Sequence, residues 1–159
     1  MAISLKLRRG TTAQNDSFVG SEAELSYDTQ TKGLRIHDGT KIGGYIVDTI
    51  VEFQEPTAAN NYTWARKYAS GWVEQGGIAT IPSRTNDGSS SVAVVFPIRM
   101  RDTNYSGQIS FQNGGAYFAN CQLTFSSRTN ADANLEFYFN STGTTDAFLV
   151  GWEVKGMAA

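Results

Sequence analysis

Between residues 148 and 155 the chain alternates strictly, with Phe148, Val150, Trp152 and Val154 interleaved with Leu149, Gly151, Glu153 and Lys155. Only an extended strand gathers every second side chain on one side; a helix would scatter the same residues around its axis. Leu135, Phe137 and Phe139 repeat the pattern around Glu136 and Tyr138. On the same reading Tyr117, Ala119, Cys121, Leu123 and Phe125 point inward and Phe118 outward, while Val92, Val94 and Phe96 leave Val95 outside. With a further strand at Tyr105–Phe111, and with Ser70-Gly71 as a hairpin turn that sets Lys67 opposite Glu74, residues 62–159 are predicted to form a β-sandwich. The apolar side chains left outward, Val95, Phe118, Tyr138 and Leu149, are candidate subunit contacts.

Composition agrees with an all-β chain. A quarter of the 159 residues are Ser, Thr or Asn, and 16 are Gly. That balance suits strands joined by polar turns. The 13 basic and 15 acidic residues leave a net charge of -2, with no cationic excess to hold a phosphate backbone, so no nucleic-acid partner is expected. No apolar run is long enough for a membrane helix, so no membrane insertion is expected. The opening Met-Ala-Ile-Ser-Leu-Lys lacks the apolar core of a signal peptide, which predicts synthesis and assembly in the cytoplasm. A single cysteine, Cys121, excludes an internal disulfide and a multi-cysteine metal site.

The first 47 residues read differently. Leu25 and Tyr27 alternate with Ser26, and Leu34 and Ile36 with Arg35, the pattern of short half-buried strands. Asp38-Gly39 and Gly43-Gly44 supply tight turns. A unit this small buries too little apolar surface to stand alone without a disulfide, a metal or a partner chain. Oligomerisation is the device left. Residues 48–61, with Pro56 and Asn60-Asn61, read as a short neck.

The segments Arg8-Arg9-Gly10-Thr11, Glu22-Ala23-Glu24-Leu25-Ser26-Tyr27-Asp28 and Leu34-Arg35-Ile36-His37-Asp38-Gly39 resemble a module at the amino end of many bacteriophage tail-fibre and receptor-binding proteins. Ser70-Gly71-Trp72, Phe96-Pro97 and Trp152 with Gly156 resemble motifs of fibre-tip domains. The resemblance implies a homotrimer in the virion, attached to a tail or baseplate protein through residues 1–47 and touching a host surface glycan or protein through residues 62–159. It also places Trp72 and Trp152 in the core.

Catalysis has little to work with. His37 is the sole histidine, no His-x-His pair exists, and nothing singles out two carboxylates among Glu74, Asp87, Asp102, Asp132, Glu136, Asp146 and Glu153 for glycosidic cleavage. No catalytic residue, metal or cofactor is expected. A sugar-binding site needs flat aromatic faces and short polar groups. Asn104, Tyr105, Asn113, Tyr117, Thr144 and Asp146, all in or beside polar loops, are the candidate receptor contacts. The leading expectation is therefore a non-catalytic tail-fibre protein that binds a host receptor. The alternatives are a baseplate adaptor joining another fibre and a small polysaccharide-degrading enzyme.

Overall fold

The computed structural model describes residues 7–85, 88–112, 121–139 and 144–159. The chain divides into two compact units, one of residues up to 52 together with 67–71, the other of residues 53–66 and 72 onward. Almost all regular structure is β.

In the first unit, β1 (Arg8–Gly10) leads through a one-turn helix, α1 (Thr12–Asp16), into β2 (Leu25–Asp28), β3 (Leu34–Ile36) and β4 (Tyr45–Val47). They form a sheet in chain order, with β1 parallel to β2 and the remaining pairs antiparallel. The helix was not foreseen from the strand pattern. It is set by Thr11, whose hydroxyl accepts from the Gln14 N–H while the Gln14 side chain accepts from the Thr11 N–H. This reciprocal cap satisfies backbone donors that so short a helix cannot pair internally. The expected glycine turns are present, with positive φ at Gly39, Gly43 and Gly44.

Within the stretch 48–61 the structure has a strand, β5 (Ile50–Gln54), and a 3-10 turn at Ala58–Asn60. Then come β6 (Trp64–Tyr68), β7 (Trp72–Ile81), β8 (Arg84–Thr85), β9 (Gly88–Val95), β10 (Ser106–Phe111), β11 (Cys121–Ser126), β12 (Asp132–Phe139), β13 (Thr144–Thr145) and β14 (Phe148–Met157). One sheet runs β10-β14-β7-β6-β5, a second β11-β12-β9, and β8 pairs with β13. The last pairing joins two stretches that read as loops in the sequence, because two-residue strands carry no periodicity. Strand β7 continues through Gly76 and Gly77, and its ten residues all pair with β14.

The second unit is built around one apolar core. Val73 and Ile81 from β7 and Val150, Trp152 and Val154 from β14 meet Ala133, Leu135 and Phe137 from β12 and Val94 from β9. Phe137 and Phe148 meet edge to face, their centroids 4.7 Å apart. The alternation of β12 and β14 is therefore the alternation of core and exterior, and Leu123 and Phe125 pack against the same core. Trp152 is buried as expected, but Trp72 is 39% exposed. It opens β7 on the side opposite buried Val73, so the core placement expected for it does not hold. Gln75 is the one fully buried polar side chain of this unit among the described residues. Its amide donates to the Ile98 carbonyl at 2.8 Å and accepts from the Ile98 N–H at 2.9 Å, tying the segment after β9 to the sheet.

Candidate attachment surface and receptor contacts

The alternation in the first unit is real, but its covered side is the polar one. Ser26, Asp28, Arg35, His37 and Asn15 are buried, whereas among the described residues the only buried apolar side chain of the unit is Ala69. Buried polar groups are tolerable where each is satisfied. Arg35 donates to Asp28 Oδ2 at 3.2 Å and to the Gly43 carbonyl at 3.1 Å, and lies 2.7 Å from Asp16. Asp28 Oδ1 also accepts from the Gln30 and Thr31 N–H groups and the Thr12 hydroxyl. Burial pushes the Asp28 carboxyl up, but these donors and the guanidinium outweigh it and hold the group below its ordinary value.

His37 belongs to the same interior. Its Nδ1 accepts from the Gly20 N–H at 3.3 Å, which leaves the proton on Nε2 to donate to Ser26 Oγ at 2.8 Å. Both ring nitrogens are thus engaged, and His37 is 1% exposed. Gly20 and Gly44 make room for the ring, since a Cβ on either would come within 2.6–2.9 Å of it. The neighbouring Asp38 carboxylate accepts from the Lys41 and Thr40 N–H groups, which hold its pKa at about 2.

The opposite face of this sheet is apolar and open. The registers Leu25↔Ile36↔Tyr45 and Tyr27↔Leu34↔Val47 put these six side chains on one side. None is buried; Ile36 is 44% and Tyr45 52% exposed. Leu7, Val19, Ile42 and Ile46 are exposed around the same unit. Among the described residues this unit has no buried apolar cluster that its apolar face could join. Periodicity showed two faces and could not tell which one the loops cover.

The candidate receptor contacts scatter. Tyr105 must be corrected: it is 4% exposed, stands edge-on to Phe96 with centroids 5.3 Å apart, and lies beneath the Arg128 guanidinium. It precedes β10 at a position that faces the core, so its ring is packing, not a platform for a sugar. Burial raises its pKa, and its hydroxyl finds no hydrogen-bond partner among the described residues. Asn104 and Asp146 are exposed, Asn104 in a turn where its N–H donates to Asp102 Oδ1 at 2.8 Å. Thr144 lies in β13, paired with Thr85. Asn113 and Tyr117 fall outside the described residues.

Of the candidate subunit contacts, Phe118 also falls outside them. Val95 and Tyr138 share the outer face of the three-stranded sheet, 72% and 43% exposed. They stand at opposite ends of it, opposite Asp132 and Ser89, roughly 20 Å apart at the rise of a strand. Leu149 lies on the other sheet. It does meet Val95 at a cleft of about 580 Å³ that Tyr62 and Trp152 also line. Val95, Tyr138 and Leu149 therefore do not form one patch.

Comparison with known proteins finds similarity in the first unit. Residues 5–41 match the family described as the Major tropism determinant N-terminal domain, so the resemblance to the amino-terminal module of phage tail-fibre proteins is borne out. A "Tail fiber receptor-binding protein" of Bordetella phage BPP-1 is 38% identical over 45 residues, 28% of this chain. The match spans only 12% of that protein's length. Among solved structures, an N-truncated R1-type pyocin tail fibre matches over 59% of this chain and 79% of its own at 11% identity and a TM-score of 0.46. The Major Tropism Determinant P3c variant matches over 57% and 29% at 22% identity and a TM-score of 0.29.

Proposed function

We propose that the chain is a virion tail-fibre protein that acts without catalysis. Its first unit attaches to a tail or baseplate protein, and its second unit recognises a host surface receptor, a glycan. The observation that carries this reading is the inverted first unit, whose interior is a closed polar network while its sheet turns six apolar side chains outward, in a segment that matches the Major tropism determinant N-terminal domain. Such a unit gains little from folding alone and much from association. A homotrimer satisfies that need, with the remaining apolar surface left for the tail partner. The name of the Bordetella phage relative supports receptor binding as the role of the whole protein.

Two measurements test this. Sedimentation of the full chain in native buffer is expected to give a mass near three chains; a stable monomer at micromolar concentration refutes the assembly. Exchange of residues 62–159 for the matching part of a related fibre is expected to change which cells the particles bind while assembly persists. Loss of incorporation with host range unchanged would favour the adaptor alternative.

A further inference from the structure

The outer face of the five-stranded sheet carries a groove that the sequence did not single out. Side chains that alternate with the core residues of β14 and β10 stand on this face. The registers Gln108↔Glu153↔Gly76 and Ser110↔Gly151↔Ile78 lay out its rows. Two of these positions are glycine, and side chains from neighbouring positions lie over them, the Gln112 amide and Ser110 hydroxyl over Gly151. The indole of Trp64, from β6, lies over Gly76: a Cβ there would stand 3.2 Å from its Nε1 and Cζ2 and would collide with the Trp152 carbonyl oxygen. Tyr62, 51% exposed, lines the groove beside it. Gln108, Ser110, Gln112 and Glu153 supply the polar wall, and the groove, open to solvent, has a volume of about 460 Å³.

We infer that this groove is a saccharide-binding site and that its occupant is a neutral sugar unit. The inference deepens the receptor-recognition reading of the second unit and rests on it. A pyranose ring presents C–H faces that pack on flat aromatic surfaces, and a belt of hydroxyls that both donate and accept. Tyr62, half exposed, offers the first kind of surface together with Trp64, whose ring also has the Arg66 guanidinium 5.5 Å from its centroid. The two glutamine amides, each with donors and acceptors, and the Ser110 hydroxyl match the second. Glu153 is the charged residue lining the groove and its carboxylate accepts from hydroxyls; Lys155, 3.1 Å away, offsets its charge, and among the described residues no lining residue is a cation that would pair with uronic acids, sialic acids or phosphates. The volume suits one or two sugar rings. Glycine at 76 leaves room for the Trp64 indole and glycine at 151 for the Gln112 amide, so the two glycines set where the aromatic and polar groups of the groove lie.

The test uses the full chain and a printed array of bacterial lipopolysaccharide and capsule oligosaccharides, with the strongest neutral spot re-measured by titration calorimetry. Trp64→Ala is expected to weaken that binding by up to about tenfold, as loss of an aromatic stack does. Gly151→Ala provides a variant that pushes the Gln112 amide out of the polar wall, because its Cβ would stand 2.5 Å from Gln112 Nε2 and its nearest neighbours are side-chain atoms of Gln112 and Ser110. It is expected to lose binding while the sedimented mass and circular dichroism stay unchanged. Trp72→Ala, outside the groove, is expected to bind as the parent does. Binding that survives both groove variants, binding confined to acidic glycans, or no binding to any arrayed saccharide overturns the inference. A change of sedimented mass in Gly151→Ala also overturns it and makes the groove a contact between chains. Adsorption of the same proteins to host cells separates the two levels of the argument. If the groove variants adsorb like the parent, the groove is refuted and receptor recognition stands; if the parent itself does not adsorb, recognition fails.

Discussion

Replacing Arg35 with Met removes the cation from the centre of the first unit and keeps most of the side chain's volume. The Arg35 and Asp28 side chains are 6% and 1% exposed. Removing one partner of a buried pair costs about 3–5 kcal/mol, because the remaining charge stays out of water without its counter-ion. The bond to Asp16 adds little, since that carboxylate is 59% exposed. A unit of some 50 residues has about 3–8 kcal/mol of stability to lose, at roughly 0.05–0.15 kcal/mol per residue. Arg35→Met is thus expected to bring the first unit near its unfolding threshold while leaving the core around Leu135 and Trp152 intact. Hydrogen exchange of the full chain, read by peptide, separates the two. Amides of residues 25–47 are expected to exchange about two to three orders of magnitude faster, and those of β12 and β14 at the parent rate. Adding Asp28→Asn removes the stranded charge but keeps an Oδ1 to accept from Gln30 and Thr31, so the double variant is expected to recover part of the loss. Unchanged protection in Arg35→Met, or a double variant worse than the single, would refute the claim that the buried ion pair organises this unit.

Tyr105→Phe removes a buried hydroxyl that has no partner among the described residues and is expected to leave thermal stability equal or up to about 1 kcal/mol higher, with receptor binding unchanged. A clear loss of adsorption with the fold intact would restore Tyr105 as a contact. Gln75→Leu strands the Ile98 N–H and carbonyl in the core and is expected to cost about 2–4 kcal/mol in urea unfolding of the second unit; a neutral result would mean that the segment after β9 re-pairs elsewhere. The Asp38 and Asp28 carboxyls both have folded pKa values below their unfolded ones, so their contribution is present above about pH 4 and is lost as pH falls through the folded values, near 2 for Asp38. An acid titration followed by exchange protection is expected to show the first unit opening within that window, and Asp38→Asn to flatten the response.

The second unit was largely legible as a series of strands because its periodicity carries an energy difference. Along β14 each inward residue is apolar and buries its surface, so the face inferred from Phe148, Val150, Trp152 and Val154 is the face that packs. Tyr105 escaped because it stands beside a polar turn, and a ring there reads equally well as exposed or packed until Phe96 is seen against it. The groove under Trp64 was invisible for a related reason: Gly76 and Gly151 lie 75 positions apart, and only the β7–β14 register sets them in adjacent rows of one face. In the first unit the sequence by itself determined the strands, the glycine turns and the want of an apolar core. Which side of its sheet is covered was decided only in three dimensions. Arg35, Asp28, His37 and Ser26 are costly to bury singly and become tolerable once each meets partners from distant turns. Such pairing is a property of their geometry together, and no local pattern of residues records it.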